Sequence, residues 1–102
     1  MDKASNNKKY NWPYNIYEVF KDNKIKQIAY VPDAGHKDLI DYCENDKNMK
    51  MISLTSEEEG VGLLAGAWLG GEKGALLMQS SGVGNCINSI ASITRACDFP
   101  LL

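Results

Sequence analysis

Three short polar stretches hold the side chains of this sequence that could do chemistry. They are VPDAGH at residues 31–36, TSEEEG at 55–60 and QSSGVGN at 79–85. Together they offer carboxylates, one imidazole, hydroxyls and amides, which are groups that proteins use to move protons and to hold polar ligands. Whether they act together depends on the fold that positions them.

The acidic stretch leaves one carboxylate, Glu57, without a structural explanation. Ser56 can cap a helix while Glu59 reaches back to the N–H of the cap, and the helix dipole accounts for Glu58. The predicted helix is rich in small residues, namely Gly60, Gly62, Ala65, Gly66 and Ala67. Small side chains let a neighbouring backbone or ligand lie close to this helix, so a carboxylate at its start would lose contact with water. We therefore expect the pKa of Glu57 to be raised, which would suit the group to proton sharing. The alternative is that Glu57 only adds to the helix dipole.

The glycine-containing stretch predicts a tight turn that exposes backbone amides. A dinucleotide or P-loop fingerprint does not match, because Ile87 stands where the third glycine belongs and no Lys-Ser or Lys-Thr pair follows. A nucleophile elbow is also excluded, since Gln79 stands where GxSxG needs its first glycine. What remains is a set of polar contacts from Gln79, Ser80, Ser81 and Asn85, or a plain sharp turn with an Asn cap.

Apolar runs that alternate with helical segments predict an α/β fold with a parallel sheet covered on both faces. The predicted helices are 13–22, 36–46, 56–70 and 82–97, and the predicted strands are 26–31, 49–54 and 74–79. FPLL at 99–102 has the pattern of a fourth strand that is cut short. We therefore expect a polar lead-in over residues 1–12 and one domain over residues 13–102, incomplete at its C-terminus.

In such a sheet, the turns after the strands meet at the carboxyl edge, where ligands bind. The three polar stretches should therefore converge there. Asp33 and His36 become candidate substrate contacts, with two alternatives: Asp33 only forms the turn, and an exposed His36 has no role.

Composition narrows the class of protein. The chain has 102 residues and a net charge of −2, which gives no electrostatic reason to expect nucleic acid. No apolar run reaches the roughly 18 residues of a membrane span, and the N-terminus lacks a signal-peptide core, so we expect a cytoplasmic protein without membrane contact. The cysteines, Cys43, Cys86 and Cys97, show no metal-ligand spacing, and we interpret them as reduced thiols that mostly serve packing.

Taken together, VPDAGH, TSEEEGVGLLAGAWLGG and MQSSGVGNCINSI resemble the pyrimidine-binding domain of thiamine diphosphate enzymes. The likeness is greatest to the decarboxylases of sulfopyruvate and phosphonopyruvate, especially the separate α subunit of the former, and it covers about residues 27–102. In that family, a glutamate lies nine residues before the glycine of an A(D/A)G step. Glu57 stands nine residues before Gly66 in LAGAW. The expected architecture is thus a three-layer, doubly wound, flavodoxin-like sheet.

The resemblance implies a role for each stretch. Glu57 would be catalytic, hydrogen-bonding a ring nitrogen of the cofactor's aminopyrimidine so that the thiazolium carbon loses its proton and attacks a 2-oxo acid. The cofactor's pyrimidine side would contact Gly82, Val83, Gly84 and Asn85. The substrate would be faced by Asp33, His36, Gln79 and Ser80, although His36 departs from the pattern expected of the phosphonopyruvate enzymes.

The resemblance also implies a partner. The family holds the diphosphate and Mg²⁺ through a second domain with a GDG motif and a following Asn, and nothing in this sequence resembles it. No metal ligand is therefore expected here. A diphosphate-binding β subunit, or the remainder of a longer polypeptide, would complete the site.

Two alternative functions stay open at this point. One is an acetolactate-synthase-like carboligase, which would use Glu57 in the same way but join the intermediate to a second keto acid. The other is a non-catalytic flavodoxin-like binding module, in which the acids only cap a helix. The substrate tail, sulfonate, phosphonate or carboxylate, is equally open, with Lys37 and Arg95 as candidate cations.

Overall fold

The computed structural model describes residues 11–102. The first helix lies at the start of this range. The polar lead-in predicted for residues 1–12 lies almost entirely outside these residues. Helix α1 spans Trp12–Asp22, and the Asn11 side chain caps it by accepting the backbone N–H of Tyr14 at 3.3 Å. Pro13 suits the first turn, where a missing N–H costs nothing, and Phe20 is buried. The predicted helix over 13–22 is confirmed.

Three parallel strands form the sheet, as predicted. They are β1 (Ile25–Tyr30), β2 (Lys50–Ser53) and β3 (Lys73–Leu77), in the order β2-β1-β3. Strand β1 pairs with both neighbours, with Ile28 opposite Met51 on one side and Ala75 on the other. Because β1 is central and covered on both faces, its neighbouring residues Ile28 and Ala29 are both fully buried.

Helices α2 (Lys37–Glu44) and α3 (Glu57–Leu69) connect the strands. A 3-10 turn, Ala34–His36, precedes α2. The chain moves from β1 to β2, then back past β1 to β3. Because crossovers between parallel strands are right-handed, this reversal places α2 and α3 on opposite faces of the sheet. The fold is therefore doubly wound.

Two apolar clusters confirm the three layers. Adjacent residues of β1 point to opposite faces, and accordingly Ile28 belongs to one cluster and Ala29 to the other. The first cluster joins the sheet to α1 and α2 through Phe20, Ile25, Ile28, Leu39, Cys43, Met49 and Ala75. The second cluster joins the sheet to α3 and to the segment after β3 through Ala29, Val61, Leu64, Leu76 and Cys86.

The predicted helix over 82–97 is helical but not a regular α-helix. A 3-10 segment, Ser80–Cys86, leads into a single α-turn, α4 (Ile87–Ser89), and then into a π-helix, Ile90–Arg95. The wide π pattern is visible where Ala96 N–H bonds Ala91 O at 3.2 Å, five residues back. Glycines at 82 and 84 weaken the preference for α-helix at the start of this segment.

The prediction of a fourth strand at 99–102 is wrong for this structure. The segment makes one backbone hydrogen bond to the sheet, from Leu76 N–H to Leu102 O at 2.9 Å, and Leu101 packs on the second cluster. A ladder needs repeated bonds, and Pro100 has no N–H to offer.

The thiols are mostly packing residues, as expected. Cys43 and Cys86 are buried and Cys97 is exposed, and all three are free. Within residues 11–102, no group of three or more histidine, cysteine or acidic side chains could hold a metal ion. The helices of that same range are all too short or too polar to cross a membrane.

Tyr17 links α1 to the loop after α2 through a hydrogen bond from its hydroxyl to Asp46 Oδ2 at 2.8 Å. This bond is the largest cause that raises the pKa of Tyr17 to about 12, ahead of burial. Since the folded pKa lies above the unfolded value of 10.0, the bond stabilises the fold fully below pH 10. The contribution is lost as pH rises through 12.

We predict that Tyr17→Phe lowers the free energy of unfolding at pH 7 by about 1 kcal/mol. The alkaline loss of stability in the range above pH 10 should shrink in the variant, because the titrating hydroxyl is gone. Chemical denaturation at several pH values measures both effects. Tyr30→Phe, which removes a hydroxyl without touching Asp46, is the control, and equal behaviour of the two variants would contradict the prediction.

Candidate active site

A cleft lies at the carboxyl edge of the sheet, between the ends of β1 and β3. It has a volume of about 380 Å³ and is lined by Trp12, Asp33, His36, Leu77, Met78 and Gln79, among others. The strand order reverses at this position, which is where open α/β sheets bind ligands. The structure therefore confirms that the turns after β1 and β3 meet at one edge.

The three consecutive acids at the start of α3 have different surroundings. Glu59 Oε1 accepts the backbone N–H groups of Thr55 at 2.9 Å and Ser56 at 3.0 Å, which confirms its predicted capping role. Glu58 and Glu59 are exposed. Glu57 is only 7% exposed, so the first residue of the helix turns its carboxylate into the protein. Helix capping does not explain this burial.

The Glu57 carboxylate faces the glycine turn. Its Oε1 accepts a hydrogen bond from Asn85 Nδ2 at 2.8 Å. A Cβ placed on Gly82 would lie 2.7 Å from Glu57 Oε2 and 2.8 Å from Cδ. Position 82 therefore has to be glycine for the carboxylate to occupy this place. The second and third polar stretches are joined here by direct contact.

The expectation that burial raises the pKa of Glu57 is wrong. The pKa is lowered, first by the hydrogen bond from Asn85 and then by the Glu57 backbone N–H, and burial opposes these effects without overcoming them. Glu57 is therefore ionised in this structure at neutral pH. A hydrogen-bond donor that contacts the charged form outweighs partial loss of water.

The remaining residues of the predicted cofactor loop lie on the surface beside Asn85. Val83 is half exposed, and Gly84 is exposed with open space where a side chain would project. Gly82 is tied back to the cleft, because its N–H bonds Gln79 O at 2.8 Å. The 3-10 segment thus runs from the cleft to the Glu57 carboxylate.

Asp33 and His36 both line the cleft, but their surroundings differ from those expected. Asp33 Oδ2 accepts the Gly35 N–H at 3.0 Å, so this side chain does form the turn. The alternative of an exposed His36 without a role is wrong as to exposure, because the side chain is 8% exposed and its Nε2 lies 3.1 Å from Val31 O. A carbonyl oxygen only accepts, so Nε2 carries the proton and Nδ1 is the acceptor of the neutral ring.

The other candidate contacts separate into two groups. Gln79 lines the cleft, whereas Ser80 is exposed at the start of the 3-10 segment and is not part of the lining. Lys37 is exposed and bonded to Asp41 at 2.8 Å, and Arg95 lies exposed in the π-helix. Neither cation lines the cleft.

Two residues of this region were not anticipated from the sequence. Trp12, 49% exposed, lines the cleft from the start of α1, although helical spacing gave no reason to place it there. Cys86 lies buried beneath the glycine turn, where its Sγ donates to Gly82 O at 3.6 Å. Burial raises the pKa of Cys86, and the charge of Glu57 adds to the shift. The signal that the sequence offered for Trp12 was its position directly before a helix-starting proline, Pro13.

Comparison with known proteins agrees with this fold. Residues 15–102 match the family described as Thiamine pyrophosphate enzyme, N-terminal TPP binding domain. The chain belongs to this family. The chain is also 48% identical over 87 residues to the sulfopyruvate decarboxylase subunit alpha of Methanocaldococcus jannaschii, and 42% identical over 87 residues to that of Methanococcus maripaludis.

These alignments cover 85% of this chain and 52% of each α subunit, so the chain spans about half the length of these relatives. A more distant relative is the phosphonopyruvate decarboxylase of Streptomyces viridochromogenes, 33% identical over 76 residues, which are 74% of this chain and 19% of that protein. The family resemblance drawn from the three polar stretches is thereby confirmed.

We predict that Gly82→Ala destabilises the protein by about 1–3 kcal/mol, the usual cost of forcing extra volume into a packed site. The added methyl group would collide with the Glu57 carboxylate. Gly84→Ala is the matched control, since a Cβ there meets nothing within 4 Å. Thermal or chemical unfolding of the two variants checks this, and similar stability of both would contradict the contact between Gly82 and Glu57.

Proposed function

We propose that this chain is the pyrimidine-binding part of a thiamine diphosphate-dependent 2-oxo acid decarboxylase that acts on sulfopyruvate or a phosphonopyruvate-like substrate. The observation that carries the proposal is the buried carboxylate of Glu57, turned toward the glycine turn rather than toward water. The names of the relatives support the substrate class, because they are sulfopyruvate and phosphonopyruvate decarboxylases. We assign the pyrimidine-binding domain to residues 13–102.

The residues of the site fit the pyrimidine half of the cofactor. Glu57 offers a single acceptor group at an apolar boundary, and the missing side chain of Gly82 leaves its carboxylate room. Gly82, Val83, Gly84 and Asn85 would form the surface that the pyrimidine contacts. The bound cofactor would supply the carbon nucleophile and the electron sink that decarboxylation needs.

Glu57 would act on a proton. As an ionised carboxylate, it would accept a hydrogen bond from a protonated pyrimidine ring nitrogen and share that proton during the reaction. The pKa of the buried Cys86 thiol is raised by burial and by the charge of this carboxylate, so the thiol lies near the carboxylate and limits the access of water from the core side. This limits competing hydrogen bonds to the carboxylate.

The substrate would occupy the cleft. Asp33, His36 and Gln79, which line the cleft, are proposed contacts, and Ser80, exposed beside Gln79 but outside the lining, is a further one. The Nε2–H of His36 is engaged by Val31 O, so its Nδ1 is left to accept a hydrogen bond from the substrate. For the tail of the substrate we propose only that it is an anion, which includes a sulfonate, a phosphonate and a carboxylate.

The diphosphate and Mg²⁺ would be held elsewhere. Since residues 11–102 present no metal-binding cluster of three side chains, we assign both to a diphosphate-binding β subunit or to a further domain of a longer chain. The α-subunit names of the relatives support a heteromeric enzyme. A cytoplasmic location is part of the proposal.

We predict that Glu57→Gln, in the complete enzyme reconstituted with its diphosphate-binding partner, lowers thiamine-dependent CO2 release by about 10²–10⁴-fold or more, because the amide cannot share the proton. The matched control is Glu58→Gln, which removes an exposed charge from the same helical turn and should retain most activity. Analysis of the product as aldehyde or as condensed keto acid separates a decarboxylase from a carboligase.

Unchanged turnover in Glu57→Gln would contradict the proposal and favour a non-catalytic module. A condensed product that depends on Glu57 would retain the cofactor assignment but overturn the decarboxylase.

A further inference from the structure

We propose that Asn85 is a positioning residue for Glu57: its side-chain amide holds the carboxylate in one orientation and in its charged form before the cofactor arrives. The inference rests on the proposed function, which makes Glu57 the catalytic acid. It adds a second role to the contact with the pyrimidine that is proposed for Asn85 above.

The hydrogen bond between the two side chains is a tertiary contact. Asn85 Nδ2 donates to Glu57 Oε1 at 2.8 Å across 28 residues of sequence. It joins the first residue of α3 to the 3-10 segment that follows β3. Because a hydrogen bond to a charged acceptor is short and directional, it selects one rotation of the carboxylate.

Gly82 completes the constraint from the other side. Glu57 Oε2 and Cδ lie so close to the Gly82 backbone that a methyl group could not be placed between them. One oxygen is therefore bonded to Asn85, and the other rests against a glycine. The carboxylate cannot rotate freely without losing the amide donor or moving the 3-10 segment.

Asn85 supplies the leading interaction with the charge. The Asn85 hydrogen bond is the largest cause of the lowered pKa of Glu57. The titratable groups near the carboxylate do not replace it: Cys86, on the 3-10 segment, has a pKa raised by burial and by the charges of Glu57 and Glu58. The ion pairs of residues 11–102 involve other acids, Glu18 and Asp41.

The inference requires the amide group of Asn85 as a hydrogen-bond donor and not only its volume. Two substitutions distinguish these two roles. Asn85→Ala removes the donor and leaves a buried carboxylate, so the pKa of Glu57 should rise. Asn85→Asp keeps the shape but places a second carboxylate at hydrogen-bond distance, and repulsion between the two charges disfavours the charged form of each group. The pKa of Glu57 should therefore rise further in Asn85→Asp than in Asn85→Ala.

The test uses the complete enzyme with its partner, first without cofactor. The carboxyl ¹³C resonance of Glu57, assigned by its absence in Glu57→Gln, is titrated in wild type, Asn85→Ala and Asn85→Asp. Asn88→Ala is the control, because Asn88 is exposed three residues further along and its side chain accepts from Ser92 at 3.5 Å. We expect the pKa to increase from wild type to Asn85→Ala to Asn85→Asp, with Asn88→Ala like wild type.

Activity gives a second readout on the loaded enzyme. The acid limb of the pH–rate profile should move to higher pH in the same order as the pKa of Glu57. We expect kcat/KM to fall about ten- to a hundredfold in Asn85→Ala, as for loss of a hydrogen bond to a charged group. Thermal unfolding shows that the variants are folded, and the isosteric Asn85→Asp keeps the test available if Asn85→Ala unfolds.

Two results would overturn the inference. The first is a Glu57 pKa that is the same in all four proteins. The second is weaker binding of thiamine diphosphate in Asn85→Ala with no change in the titration of Glu57, which would leave Asn85 as a cofactor contact only. Both differ from failure of the proposed function, which would appear as full activity of Glu57→Gln and would leave the titration of the cofactor-free enzyme unchanged.

Discussion

The site depends on one interaction: a carboxylate at the first position of α3 is held inside the protein by an amide from the 3-10 segment after β3. Glu57 and Asn85 approach because the sheet places the ends of β2 and β3 at the same edge. The interaction requires a glycine at position 82, where the carboxylate fills the space of a side chain. The position of the Glu57 carboxylate therefore depends on the parallel sheet, on the glycine at position 82 and on the Asn85 amide together.

The acidic start of α3 is explained by a division of tasks among neighbouring residues. Glu59 satisfies backbone N–H groups at the helix start, and exposed Glu58 adds favourable charge near the dipole. Glu57 faces inward. The small residues that follow Glu57 have different surroundings. Gly60 packs against the side chains of Leu54 and Leu76, whereas a Cβ placed on Gly62 would meet nothing within 4 Å. Close approach of the helix to the sheet thus accounts for the first glycine.

Much of this fold could be predicted from the sequence, because the signals are local. Apolar runs such as the one containing Ile28 and Ala29 mark strands buried on both faces, and capping at Ser56 and Glu59 marks a helix start. The edge location of the polar stretches then follows from the topology of parallel sheets. The family resemblance adds a role for Glu57, and the buried position of its side chain is in keeping with that role.

What could not be predicted depends on distant partners. The sign of the Glu57 pKa shift is set by an amide 28 residues away, and burial alone suggested the opposite sign. His36 is buried because its ring reaches Val31 O, a contact that a lone histidine in a turn does not reveal. The irregular helix after Gly82 and the absence of a ladder at Leu102 likewise depend on packing between segments, which periodicity does not report.

The most direct test of the account is a titration of the Glu57 carboxyl group in the wild-type complex, followed by ¹³C NMR with and without saturating thiamine diphosphate. We predict a pKa below the ordinary glutamate value of about 4.3 in the free enzyme, and a still lower value once a protonated pyrimidine nitrogen donates a hydrogen bond to the carboxylate. A free-enzyme pKa at or above the ordinary value, or one that the cofactor leaves unchanged, would contradict the account.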